Sequence, residues 1–113
     1  MTDILHESTI NELRDLLAED FVDLIETYLS DTRPKLAELR QALSRGPDFD
    51  VLEKVSHSLK GSSGNIGARE MFEVCNQLVQ ACRADEPVAD AAAQVDAIES
   101  AFGRLEPMLK AYI

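Results

Sequence analysis

Tryptophan is absent from the chain, aromatic residues make up only 5% of it, and runs that alternate apolar with polar residues are rare. Sheet folds draw on such residues and patterns, so their scarcity leaves the helix formers leucine, alanine, glutamate and arginine to set the fold. No run of 18 or more apolar residues occurs, and the first 20 residues are acidic and amphipathic instead of joining a basic start to an apolar stretch. Neither a membrane span nor a secretory signal is expected, and the cytoplasm is the expected location. Basic residues are also few, 11 against 21 acidic, for a net charge of −10. A nucleic-acid backbone or an anionic membrane asks for the opposite balance, so a protein partner is expected. At 113 residues the chain reads as one domain spanning 1–113. That length buries a core without disulfides or metal and leaves no room for a catalytic kinase domain.

Cysteine is nearly absent too. Cys75 and Cys82, seven residues apart on a helix, stand about 10 Å from each other and cannot bridge within it. With Met71, Phe72, Leu78 and Val79 they form the stripe of a buried helix face and read as small core residues. Neither CxxC nor HExxH occurs, so no metal site is expected. His6 has no ligand or base partner nearby in sequence and reads as a surface or capping residue. Internal repeats, low-complexity tracts and linkers are missing as well.

What remains is a succession of amphipathic helices. The first opens with Ser8 or Thr9 as N-cap and places Ile10, Leu13, Leu16 and Leu17 as its apolar residues. The next, from Asp20 to about Leu43, aligns Phe21, Leu24, Ile25, Tyr28 and Leu29, then Leu36, Leu39 and Leu43. Pro34 either begins a new helix capped by Asp31 or Thr32, or bends one long helix. Arg45-Gly46-Pro47 ends that segment, and Asp48 or Asp50 opens a third that runs to Gly64-Asn65. A fourth spans about Ala68 to Arg83. After Asp85-Glu86-Pro87 a fifth carries Val95, Ile98, Phe102, Leu105 and Leu109, with Pro107 disturbing its last turns. Four long helices with short connections predict an all-α, antiparallel up-down-up-down four-helix bundle with an additional short N-terminal helix closing one end. Ile66, after the third helix, is expected to insert into the core.

The third helix holds the chemistry. With Leu52 as zero and about 100° per residue, Val55, Ser56, Leu59 and Ser63 fall within roughly 60° and must face the core. His57 lies about 140° away and is therefore expected to be exposed. Lys54, Lys60, Gly61 and Gly64 share its side. Each mid-helix glycine costs about 1 kcal/mol relative to alanine, so Gly61 is expected to repay it by giving a partner close access. A neutral imidazole near pH 7 attacks phosphorus well and leaves well when protonated, and Lys60 would offset the added negative charge. The glycines form no nucleotide loop, because neither GxxxxGK[ST] nor GxGxxG is matched and no strand precedes them. Ser62 and Ser63 lack a base and an acid in register for a nucleophilic triad.

The stretch His57-x-Leu-Lys60-Gly61-Ser-x-x-x-Ile66-Gly67-Ala68 closely resembles the signature of histidine phosphotransfer (HPt) domains of multistep phosphorelays. The resemblance covers nearly the whole chain. It implies that His57 accepts a phosphoryl group at Nε2 from the aspartate of one receiver domain and passes it to another. Lys60 is then the charge partner and Gly61 the clearance position. The implied partners are receiver domains of response regulators and hybrid histidine kinases, and Mg²⁺ would come with the receiver, since the chain shows no acidic cluster near His57. The chain is expected to be a carrier without kinase activity of its own, and a monomer. A docking rim is expected from Phe21, Val22 or Ile25. Where several members of the family carry a glutamine 22 residues after the histidine, this chain has Val79, with Gln77 and Gln80 close by in sequence. Two other readings keep the helices but not the transfer. One is an adaptor that binds or sequesters a receiver domain, the other a purely structural bundle, for which exposed mid-helix glycines have no use.

Overall fold

The computed structural model describes residues 2–44, 46–84 and 90–113. The described residues form α1 (Glu7–Leu17), a 3₁₀ turn (Ala18–Asp20), α2 (Phe21–Leu43), α3 (Phe49–Asn65), α4 (Arg69–Arg83) and α5 (Ala91–Lys110). Contacts run from α2 to α3, α3 to α4, α4 to α5 and α5 back to α2, closing the four long helices into an antiparallel bundle. Its long dimension of 44 Å accommodates α2, whose 23 residues span about 35 Å. None of the described helices is long and apolar enough to cross a membrane.

Each long helix buries one stripe. On α3 the buried residues are Leu52, Val55, Ser56, Leu59 and Ser63, the set expected from the wheel. The two buried serines are satisfied. Ser56 donates to the Leu52 carbonyl at 2.6 Å, and Ser63 Oγ lies 2.8 Å from the Tyr28 hydroxyl on α2. Full burial of side chains such as Leu52, Leu59, Leu78, Ile98 and Leu105 stabilises the bundle by about 1.5–3 kcal/mol apiece. Ion pairs on the outside, among them Arg33 to Glu106, Arg40 to Asp96 and Glu99, and Arg83 to Glu53, are exposed and contribute little.

Helix ends differ from the sequence expectation where the cap is not local. The first helix begins at Glu7, earlier than a Ser8 or Thr9 cap would place it, with His6 at the N-cap. Its Nδ1 lies 2.7 Å from Thr9 Oγ1. Asp48 opens α3 by accepting from the Val51 N–H at 3.2 Å, and Asp90 opens α5 by accepting from the Ala93 N–H at 2.9 Å. The expected Arg45-Gly46-Pro47 and Asp85-Glu86-Pro87 breaks fall wholly or partly outside the described residues. Pro34 starts no new helix: α2 runs through it. The carbonyl left without a partner four residues back belongs to Ser30, which is exposed to water. The same reason carries α5 through Pro107 to Lys110, where the freed carbonyl is that of exposed Gly103.

Candidate functional site

α3 ends in a tightly specified corner. The Ala68 N–H donates to the Ser63 carbonyl at 2.9 Å and the Gly67 N–H to the Gly64 carbonyl at 3.2 Å, the paired bonds of a Schellman ending. Gly67 sits at φ +78°, where other residues are strained, and a Cβ there would lie 2.9 Å from Thr9 Cβ. The Gly67 carbonyl accepts the His6 N–H at 2.8 Å, which ties the start of α1 to this turn. Ile66 is buried beside it, as expected. The corner thereby fixes the C-terminal end of the helix that carries His57.

His57 is exposed on the side of α3 opposite the core stripe. One turn on, the position a Cβ would take at Gly61 has nothing within 4 Å. The helix backbone is open to approach there. Lys60 is half-buried, and its Nζ stands over the Phe72 ring, 5.5 Å from the centroid. Lys54, one turn before His57, is exposed. The histidine, the two lysines and the open glycine thus share one surface.

Other expected residues are placed differently. Gly64, expected on the side of His57, lacks the open space found at Gly61: a Cβ there would lie 3.2 Å from Phe72 Cδ2, so the ring fills the space it leaves. Phe72 is not a core residue as the α4 stripe suggested: it is 39% exposed, whereas Met71, Cys75, Leu78 and Val79 are buried. Its position at the edge of the stripe leaves its fate to the neighbouring helix. Leu16 is likewise not on the core face. Ile10, Leu13 and Leu17 take that face of α1, and Leu16, about 120° from Ile10 on the wheel, is 80% exposed. Of the three rim candidates, Phe21 and Ile25 are core residues and Val22 alone is exposed.

Val79 is fully buried in the α4 stripe and, being apolar, offers the imidazole no hydrogen bond. The Gln80 amide faces Asn76 Oδ1 at 3.5 Å, and Gln77 is exposed. Burial pushes the Cys75 thiol up to about 12, and burial with the nearby Glu53 carboxylate raises that of Cys82. Neither is a ready nucleophile. Among the described residues no group of three His, Cys, Asp or Glu side chains is placed to hold a metal ion.

A family model for the Hpt domain matches residues 23–110. The chain belongs to the Hpt domain family. Relatives of this Hpt domain include histidine-containing phosphotransfer protein 4 of Arabidopsis thaliana, 35% identical over 77 residues that cover 66% of this chain and 61% of the relative. The chain thus matches less than two thirds of that protein's length. Among solved structures, histidine-containing phosphotransfer protein B from Pseudomonas aeruginosa PAO1 superposes with a TM-score of 0.89 at 27% identity, covering 96% of this chain and 93% of that one. The Saccharomyces cerevisiae histidine phosphotransfer signaling protein Ypd1, solved with the receiver domain of its downstream response regulator Ssk1, shares the fold. Its TM-score is 0.72 at 19% identity, over 97% of this chain and 91% of that one.

Proposed function

We propose that this Hpt domain is a phosphoryl carrier between receiver domains, with His57 as the residue that is phosphorylated. The observation that carries the proposal is the exposed imidazole of His57 beside an open backbone at Gly61. A receiver's aspartyl phosphate needs such an approach, because attacking nitrogen, phosphorus and leaving oxygen must come into line. In the first transfer the His57 Nε2 lone pair forms the N–P bond as the bond from phosphorus to the aspartate oxygen breaks. The carboxylate leaves with the electron pair. Delivery to a second receiver reverses these events, the imidazole leaving as the new P–O bond forms.

Lys60 serves the transfer as a point cation near the added phosphoryl charge. Mg²⁺ neutralises phosphoryl charge in such reactions and comes, in this reading, with the receiver. Among the described residues no acidic cluster is placed to bind it. In this reading the chain is a substrate of its partners without kinase activity of its own. The partner class, receiver domains of response regulators and hybrid kinases, is supported by the family and by the receiver complex of the yeast relative.

The adaptor alternative makes the opposite prediction in a depletion experiment. A receiver phosphorylated on aspartate is mixed with the chain in Mg²⁺, and loss of phosphoryl from the receiver is followed. Wild type draws it off; His57→Gln does not, while keeping its helical circular dichroism. Binding by both proteins without depletion by either would sink the carrier reading and favour the adaptor.

A further inference from the structure

The contact between Lys60 and Phe72 is not accounted for by the carrier reading, and it joins two helices at the edge of the site. Phe72 lies on the first turn of α4 and is one of few large apolar side chains left at the surface. Its ring packs where Gly64 has no side chain, 3.2 Å from the position of the missing Cβ, and carries the Lys60 ammonium on its face. A lysine chain has four rotatable bonds and, left free, would spread its charge over many positions. An aromatic face attracts the ammonium and restricts it without neutralising it, as a carboxylate would. Residues three apart on a helix are neighbours, so the restrained chain begins one turn from His57.

We propose that Phe72 is a positioning residue for phosphoryl transfer: its ring, admitted by Gly64, restrains the Lys60 ammonium, on a side chain that starts one turn from His57, before the phosphoryl group arrives. The proposal rests on the carrier reading and names a residue that acts through Lys60. It assigns Gly64 a separate task from Gly61. Gly64 makes room for the ring, and Gly61 leaves room for the partner.

The test is a double-mutant cycle with two readouts. The first is the initial rate of transfer from a phosphorylated receiver to wild type, Phe72→Leu, Phe72→Tyr, Lys60→Met and Phe72→Leu with Lys60→Met. Phe72→Leu is expected to slow transfer about 2- to 5-fold, the equivalent of one exposed cation–π contact. Phe72→Tyr, which keeps the ring, should match wild type, and Phe72→Leu should have no effect once Lys60 is methionine. The second readout is the proton shift of the Lys60 side-chain methylene next to nitrogen, which the ring moves upfield in wild type and Phe72→Tyr but not in Phe72→Leu. Gly64→Ala, which crowds the ring, should also reduce that shift.

An unshifted Lys60 signal in wild type overturns the inference, as does equal slowing by Phe72→Leu with and without Lys60. The latter result would make the ring a docking contact. Normal labelling of wild type with no slowing in Phe72→Leu overturns this inference alone. Absence of label on wild type from any receiver overturns the carrier reading and this inference with it.

Discussion

Gly61 separates the needs of the fold from those of the site. The bundle gains nothing from a glycine there, since a Cβ would meet no atom beyond its own helix backbone within 4 Å and alanine is the better helix former. Gly61→Ala is therefore expected to stabilise the protein by about 0.5–1 kcal/mol, read as a higher denaturant midpoint. The same variant should transfer phosphoryl about 10- to 100-fold more slowly, because a methyl group then holds the partner back from the reacting geometry. A variant that is stabler and equally active would remove the clearance role. Tyr28 gives the second test at this scale. Its hydroxyl meets buried Ser63 at 2.8 Å, and burial raises its pKa from 10.0 to about 12, against a smaller lowering by that hydrogen bond. Because the folded-state pKa is the higher one, this contribution to stability is full below pH 10 and is lost as pH rises from 10 towards 12. Cys75, raised from 9.0 to about 12 by burial, adds a loss that begins near pH 9. Melting temperature should thus fall across pH 9–12. Tyr28→Phe should cost about 1–3 kcal/mol at neutral pH, by stranding the Ser63 hydroxyl, yet fall less steeply above pH 10. Side chains such as His57 and Ser63 were legible in the sequence because the α3 wheel puts them clearly outside or inside. Phe72 and Leu16 were not, since an edge position is settled by what the next helix offers.

At the scale of elements, the α3–α4 corner does most to set where the site sits. It joins the Schellman ending, the buried Ile66 and the His6 tether in one place. Gly67→Ala should cost at least about 1–2 kcal/mol from the positive φ alone, before the contact with Thr9 is counted. Amide exchange at His6 should rise with it, because the Gly67 carbonyl moves. Unchanged stability and protection would mean that the corner is not specified by this glycine. The glycine turn, the α3 register and the four long helices follow from local signals that agree with one another. The start of α1 and the continuity of α2 do not. The first depends on a carbonyl sixty-one residues away in sequence, at Gly67, and the second on whether Ser30 faces water. No local pattern contains either fact. Val79, by contrast, was legible in the sequence: the α4 stripe placed it on the buried face, where it lies.

For the molecule as a whole, a net charge of −10 coexists with a lysine on either side of His57 along α3. Added salt should therefore slow encounter with an acidic receiver surface while changing the melting temperature little, because the ion pairs between helices are exposed. Stopped-flow association and thermal melts from low to high salt check this together. An association rate indifferent to salt would assign the lysines to chemistry alone. Truncating Lys54 should reduce the association rate more than the affinity.

Whether His57 carries the phosphoryl group is read most directly from the chemical stability of the product. Wild type and His57→Gln are incubated with a labelled phosphoreceiver and Mg²⁺, separated from it, and exposed to acid and to alkali. Label is expected on wild type only, lost in acid and kept in alkali, as a phosphoramidate behaves. Label on His57→Gln, or a product stable in acid, would contradict it.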